Sequence, residues 1–184
     1  MNDILTQPIK EPLVEGLDEK LKEELKEQLQ RGNSEFMREA VKEAYVGINH
    51  HHGGPFGSVI VRDGMIVGRG HNRVLVNKDC TCHGEMEAIR DACKRLGTHD
   101  LSGCELYTTA EPCPMCLGAI LWSNIRRVFY GCNRKDTDSI GFRDDEFYAC
   151  FYGEKDIFCM TECDREACLQ LFSEYQADEG HKRY

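Results

Sequence analysis

The chain of 184 residues and 21.0 kDa carries 23 basic and 32 acidic side chains for a net charge of -9, and is long enough for one domain with an appendage around a sizeable core. No long basic run is present, which argues against a phosphate-backbone partner, and the longest mainly apolar stretch, Met115 to Trp122, falls far short of the roughly 20 residues of a membrane helix. The 11 cysteines form no disulfide framework and no charged-then-apolar leader is seen, so a reducing, cytoplasmic setting is expected.

In chain order, the first dozen residues, with Pro8 and Pro12, read as an irregular arm. Leu17, Leu21, Leu25 and Leu29 then recur among alternating Glu and Lys, the pattern of a single-seam amphipathic helix over 17–30. That helix either lies on the body of the protein or docks a partner. Gly32 is its expected stop and Ser34 the expected cap of the next helix, so residues 1–33 form an N-terminal extension to a domain over 34–184.

Phe36, Met37, Ala40, Val41, Ala44, Tyr45 and Ile48 predict a core-facing helix over 34–49. His50-His51-His52-Gly53-Gly54-Pro55 follows as a loop, in which neighbouring imidazoles diverge and make a poor metal site. Ser58–Arg62 and Met65–Gly68 flank Asp63-Gly64, a strong hairpin signal. After a polar loop over Asn72–Cys82, the residues Glu85, Ile89, Ala92, Cys93 and Leu96 share a face and predict a helix over 83–96.

A short strand over Cys104–Thr108, an apolar helix over Cys113–Trp122 and a strand over Val128–Gly131 make a β-α-β crossover and imply parallel pairing. Cys132–Glu146 is polar and loop-like, a natural place for substrate contacts. Asp156–Met160 is expected as a final edge strand. A terminal helix over Arg165–Gln176 has Ala167, Leu169, Leu171 and Phe172 as its apolar members, with Cys159, Cys163 and Cys168 as packing thiols.

The chemistry concentrates in two stretches, His83-Gly84-Glu85 and Pro112-Cys113-Pro114-Met115-Cys116. Cys113 and Cys116, three apart on a helix, turn both sulfurs the same way, and with His83 they make three metal ligands with one position left open, the set a catalytic zinc needs. Glu85, two residues after His83, then serves as a proton carrier and not as a ligand. Alone, the Cys-x-x-Cys pair also fits a redox pair or half of a structural zinc site. A structural site would have to draw its fourth ligand from Cys80 or Cys82, which sit too close to His83 to point with the others.

These stretches, with Gly54-Pro55-Phe56-Gly57, Gly70-His71-Asn72, Thr109-Ala110-Glu111, Asp136, Gly141-Phe142 and the final Tyr184, resemble the cytidine deaminase-like zinc hydrolases from about Ser34 onward, and among them the small bacterial guanine deaminases. The resemblance implies a three-layer α/β/α sandwich with a five-stranded mixed sheet, one Zn2+ per chain, and a homodimer whose C-terminal segment crosses to the neighbouring active site. It also implies hydrolytic conversion of a free nucleobase, guanine to xanthine with release of ammonia. Asn72 would hydrogen-bond the base, Phe56 stack on it, Asp136 recognise its edge and Tyr184 close the partner's pocket. Their ordinary readings are a loop former, a core ring, a turn acid and a frayed end.

The alternatives are another aminated heterocycle (cytosine, a nucleoside or an aminotriazine), a transfer-RNA adenosine deaminase, and a zinc-stabilised subunit without turnover. The extension before Asn33 and the thiols of Asp79-Cys80-Thr81-Cys82 depart from the family pattern.

Overall fold

The computed structural model describes residues 32–180; the expected N-terminal arm and 17–30 helix, and Tyr184, lie outside the described residues. The first described helix, α1 (Ser34–Asn49), has the expected bounds, but its cap is Asn33 and not Ser34. The extended Asn33 turns its Oδ1 back to accept from the Glu35 amide at 2.8 Å, which frees Ser34 to take helical geometry.

Strands β1 (Gly57–Arg62) and β2 (Met65–His71) pair antiparallel with Arg62 opposite Met65. Asp63 and Gly64, at φ 50° and 74°, make the two-residue left-handed turn their sequence favours. β1 also pairs antiparallel with β3 (Glu105–Ala110), and β3 pairs parallel with β4 (Arg127–Cys132) across the helix Pro114–Trp122. The sheet order is β2-β1-β3-β4, four strands among the described residues where five were expected. The missing one is Asp156–Met160, which joins no ladder; its apolar run has strand propensity, but propensity supplies no partner strand.

Alternation along the strands divides the core. Ile60 and Leu106 pack with Ala88, Ile89, Ala92 and Ile120, whereas their neighbours Val59, Val61 and Tyr107 pack with Ala40, Phe36 and Met37 of α1. Each fully buried aliphatic side chain stabilises the fold by roughly 1.5–3 kcal/mol.

Two polar stretches read as loops contain helices. Within Asn72–Cys82 lies the single-turn α2 (Val74–Asn77), and within Cys132–Glu146 lie α5 (Arg134–Ser139) and the start of α6 (Asp144–Phe151). In α5 the drive is capping and not hydrophobic periodicity: Asn133 accepts from the amides of Lys135 and Asp136, and Asp136 Oδ2 accepts in return from the Asn133 amide at 2.8 Å. The remaining helices are α3 (Gly84–Leu96), α4 (Pro114–Trp122) and α7 (Arg165–Ala177).

The chain forms two compact units that divide between Asp145 and Glu146. In the second, Leu169, Leu171 and Phe172 are 43, 62 and 62 % exposed, and Cys159, Cys163 and Cys168 are exposed as well, so the residues expected to pack there are not buried within that unit. Among the described residues no helix is long and apolar enough to cross a membrane.

Candidate active site

Two helix starts build the site. His83 is the N-cap of α3 and Cys113 the N-cap of α4, both in extended geometry, and neither uses its side chain to cap its own helix. The imidazole and the thiol are therefore free to turn toward each other, and Pro114 in the first turn sets the helical φ that follows Cys113. Cys116, one turn on, is fully buried beneath them. His83 Nδ1 lies 3.6 Å from Cys113 Sγ and 3.7 Å from Cys116 Sγ, and among the described residues this is the one group of three His, Cys or acidic side chains spaced to hold a metal ion.

The electrostatics suit a cation. The Cys113 thiol is pulled down to about 4, chiefly by hydrogen bonding from Cys116 and also by His83, while the Cys116 thiol is driven up by Cys113 and by burial. Hydrogen bonding to Cys113 raises His83 against the effect of its burial. One imidazole and two adjacent sulfurs, one of them held well below the usual thiol range, fit zinc.

Glu85, on the first turn of α3, is buried, and that burial pushes its carboxyl up to about 7. At neutral pH such a group can both accept and return a proton. The seating of α3 depends on Gly70 of β2: a Cβ there would stand 2.3 Å from the Ala88 nitrogen and 2.5 Å from the Gly84 oxygen.

The expected base-contacting residues fall into two groups. Phe56 and Asn72 adjoin the metal-ligand segment: Gly84 lies against the Phe56 carbonyl, which accepts from the Asn72 amide at 2.8 Å. Asn72 is buried, and its Oδ1 accepts from the Gly54 and Val74 amides at 3.3 and 3.2 Å, leaving Nδ2 as its open donor. The half-buried Phe56 ring meets Phe142 edge-on at 4.6 Å. Asp136, by contrast, is exposed and has one carboxylate oxygen committed to the capping box of α5. Tyr184 lies outside the described residues.

The sequence reading passed over Asp144. Burial and then Cys113 raise its carboxyl, and it acts electrostatically on His83, which places it beside the centre. Its neighbour Asp145 is 3.7 Å from Arg134 Nη1, and Arg134 Nε is 3.2 Å from Glu111, the residue before Pro112-Cys113. An acid pair opening a helix was the available signal, hidden by the polar, loop-like composition around it. Neither Cys80 nor Cys82 joins the metal-capable group. Cys82 Sγ instead accepts from Asn77 Nδ2 at 3.3 Å within its own loop.

The sequence profile of the cytidine and deoxycytidylate deaminase zinc-binding region matches residues 30–132. The chain belongs to this family. It is a hydrolytic deaminase with a zinc-binding domain, and it has the α/β fold of the cytidine deaminases. It is 50% identical over 113 residues to the guanine deaminase of Bacillus subtilis, covering 61% of this chain and 72% of that protein. The crystal structure of a Bacillus subtilis guanine deaminase superposes with a TM-score of 0.75 at 39% identity, over 83% of this chain and 99% of that one. The tRNA-specific adenosine deaminase of Aquifex aeolicus is 43% identical over 99 residues, covering 54% of this chain and 65% of that protein.

Proposed function

We propose that this deaminase converts guanine and water to xanthine and ammonia in the cytoplasm, as part of purine metabolism. The observation that carries the reading is the 99% coverage of a guanine deaminase structure, whose likeness takes in 83% of this chain and so extends past the zinc-binding region at 30–132. His83, Cys113 and Cys116 would hold one zinc per chain, and zinc when bound makes a water acidic enough to act as a nucleophile near neutral pH.

Glu85 takes the proton from the attacking water and delivers it to a ring nitrogen as oxygen adds to the amino-bearing carbon. It then takes the remaining proton of the added hydroxyl and passes it to the amino group, so that the C–N bond breaks as the C=O bond forms and ammonia leaves, and its own acidity near 7 suits both halves of that exchange. Asn72 Nδ2 donates to the base, the Phe56 ring stacks on it, and Asp136, through the carboxylate oxygen left open by the cap, reads its edge. Asp144, beside His83 and Cys113, is a second acid for that last role.

On this reading residues 34–184 are one deaminase domain with an extension over 1–33, and α1 on one side of the sheet with α3 and α4 on the other form three layers. The active form is a homodimer in which the C-terminal segment and Tyr184 complete the neighbouring site. The exposed apolar side chains of the second compact unit support it.

The similarity to a tRNA-specific adenosine deaminase motivates a second reading, against which the net charge of -9 weighs, since an RNA stem calls for basic surface. Ammonia release measured against guanine, cytosine, adenine, their nucleosides, an aminotriazine and an anticodon-stem RNA decides between them. Guanine should be turned over fastest, and turnover confined to the RNA would overturn the proposal.

A further inference from the structure

Away from the metal-capable centre the structure holds a second cluster of titratable side chains. His52 Nδ1 and His71 Nε2 face each other at 2.9 Å, with rings stacked 5.1 Å apart and 16° from parallel. Arg73 Nη1 reaches the same two nitrogens at 3.3 and 3.4 Å, and Glu43 Oε2 of α1 stands 3.6 Å from the far nitrogen of His71. The cluster joins the loop between α1 and β1 to the end of β2. The same loop is tied by backbone to the residues just after β2, with the His52 carbonyl accepting from the Leu75 and Val76 amides of α2 at 3.0 and 3.2 Å and the Phe56 carbonyl from the Asn72 amide.

We propose that the His52–His71 pair is a positioning element for Phe56 and Asn72: it fastens the loop while the two rings carry no more than one positive charge, and lets go on taking a second, so substrate affinity falls on acidification. This rests on the reading of Phe56 and Asn72 as base-contacting residues.

At 2.9 Å the facing nitrogens have room for one hydrogen between them. With both rings neutral, His52 Nδ1–H donates to His71 Nε2, and His71 Nδ1–H turns to Glu43; with one ring charged, the direction of the shared hydrogen reverses. A second charge needs N–H facing N–H with a guanidinium alongside, and the contact cannot survive.

The surroundings do not offset that charge. Glu43 is shared with Arg69 at 3.3 Å and Glu39 is paired with Arg69 at 2.9 Å, while His50 adds a third ring 5.4 Å from His52. Burial and the Arg73 charge hold His52 below its ordinary value, in keeping with its being the neutral member. Closure therefore persists through uptake of the first proton and weakens only as pH falls far enough for the second to bind, below the ordinary imidazole range.

Amide hydrogen exchange of the zinc-loaded protein, corrected for intrinsic exchange and followed from about pH 8 to about pH 5, tests this without substrate. Protection at Asn72, Leu75 and Val76 should fall with pH, and KM for guanine should rise by up to about tenfold per pH unit once the second proton binds. His52→Gln and, independently, His71→Gln should flatten both profiles while leaving KM at the alkaline end within about threefold of the parent. Protection that survives acidification, or that is lost equally in both variants, overturns the inference. An Asn72→Ala variant with unchanged KM would instead overturn the reading on which it rests.

Discussion

Replacing Gly70 with alanine tests how α3, which follows His83 and carries Glu85, is seated. The added Cβ would lie 2.3 Å from the Ala88 nitrogen, 2.5 Å from the Gly84 oxygen and 2.7 Å from the Glu87 carbonyl carbon, all of them backbone atoms of α3 or its first turn. No side chain can rotate away, so relief to ordinary contact, at 3.4 Å or more, requires β2 and α3 to part by roughly 1 Å. Overpacking of this kind costs about 1–3 kcal/mol. The same movement carries His83 and Glu85 away from Cys113 and Cys116, and misplacement by about 1 Å can lower turnover on the order of 100-fold. Denaturant unfolding and the ammonia assay should therefore both register the change. Gly118→Ala on α4, where a new Cβ meets nothing within 4 Å, is the control and should match the parent or gain up to about 1 kcal/mol. A Gly70→Ala protein with parental stability and turnover would refute the reasoning.

Four other substitutions and one titration probe the site. Glu85→Gln should keep its zinc and lose about 100- to 10,000-fold in turnover, whereas Cys113→Ala should lose the metal; metal analysis by mass spectrometry beside the activity assay separates the two, and full activity in the first or full occupancy in the second contradicts the assignment. Zinc binding near pH 7 should release at least about one proton, because Cys116 holds its hydrogen until the ion displaces it and His83 is raised as well. Affinity should then weaken about tenfold per pH unit per proton on acidification, and calorimetry in buffers of different ionisation heat that found no release would contradict this. Asp136→Asn and Asp144→Asn compete for edge recognition: the variant with the larger rise in KM for guanine marks the acid that reads the base, and loss of stability alone in Asp136→Asn would leave that residue a helix cap.

Apart from the single-turn α2, the elements from α1 to β4 could be read from sequence because each was announced by a period or a turn: the helical face of Phe36 to Ile48, Asp63-Gly64 between two β-rich runs, and the crossover around Cys113–Trp122. The metal-capable triad was legible for a different reason, since its spacing is dictated by coordination and not by packing. The reading failed where structure is made by polar groups or needs a partner. α5 rests on the reciprocal bonds of Asn133 and Asp136, which no hydrophobic period announces, and this left Asp144 inside a presumed loop. The edge strand over Asp156–Met160 failed because strand propensity carries no information on what it would pair with.

The second compact unit holds a dense run of exposed apolar side chains. Every described residue from 151 onward is exposed, including Phe158 at 60 %, Met160 at 86 %, Leu171 at 62 % and Phe172 at 62 %. Single exposed apolar residues need no explanation, but so many in one short segment are the kind of surface that the proposed homodimer would use. There the second copy of the chain would cover them. Leu171→Asp together with Phe172→Asp would place two charges in such an interface, each costing several kcal/mol to bury, and should turn the dimer into a monomer at micromolar concentration. Light scattering coupled to size-exclusion chromatography reads the mass directly. A monomeric parent would remove the dimer, while a doubly substituted chain that stayed dimeric would move the interface elsewhere and leave α7 without the role argued for it.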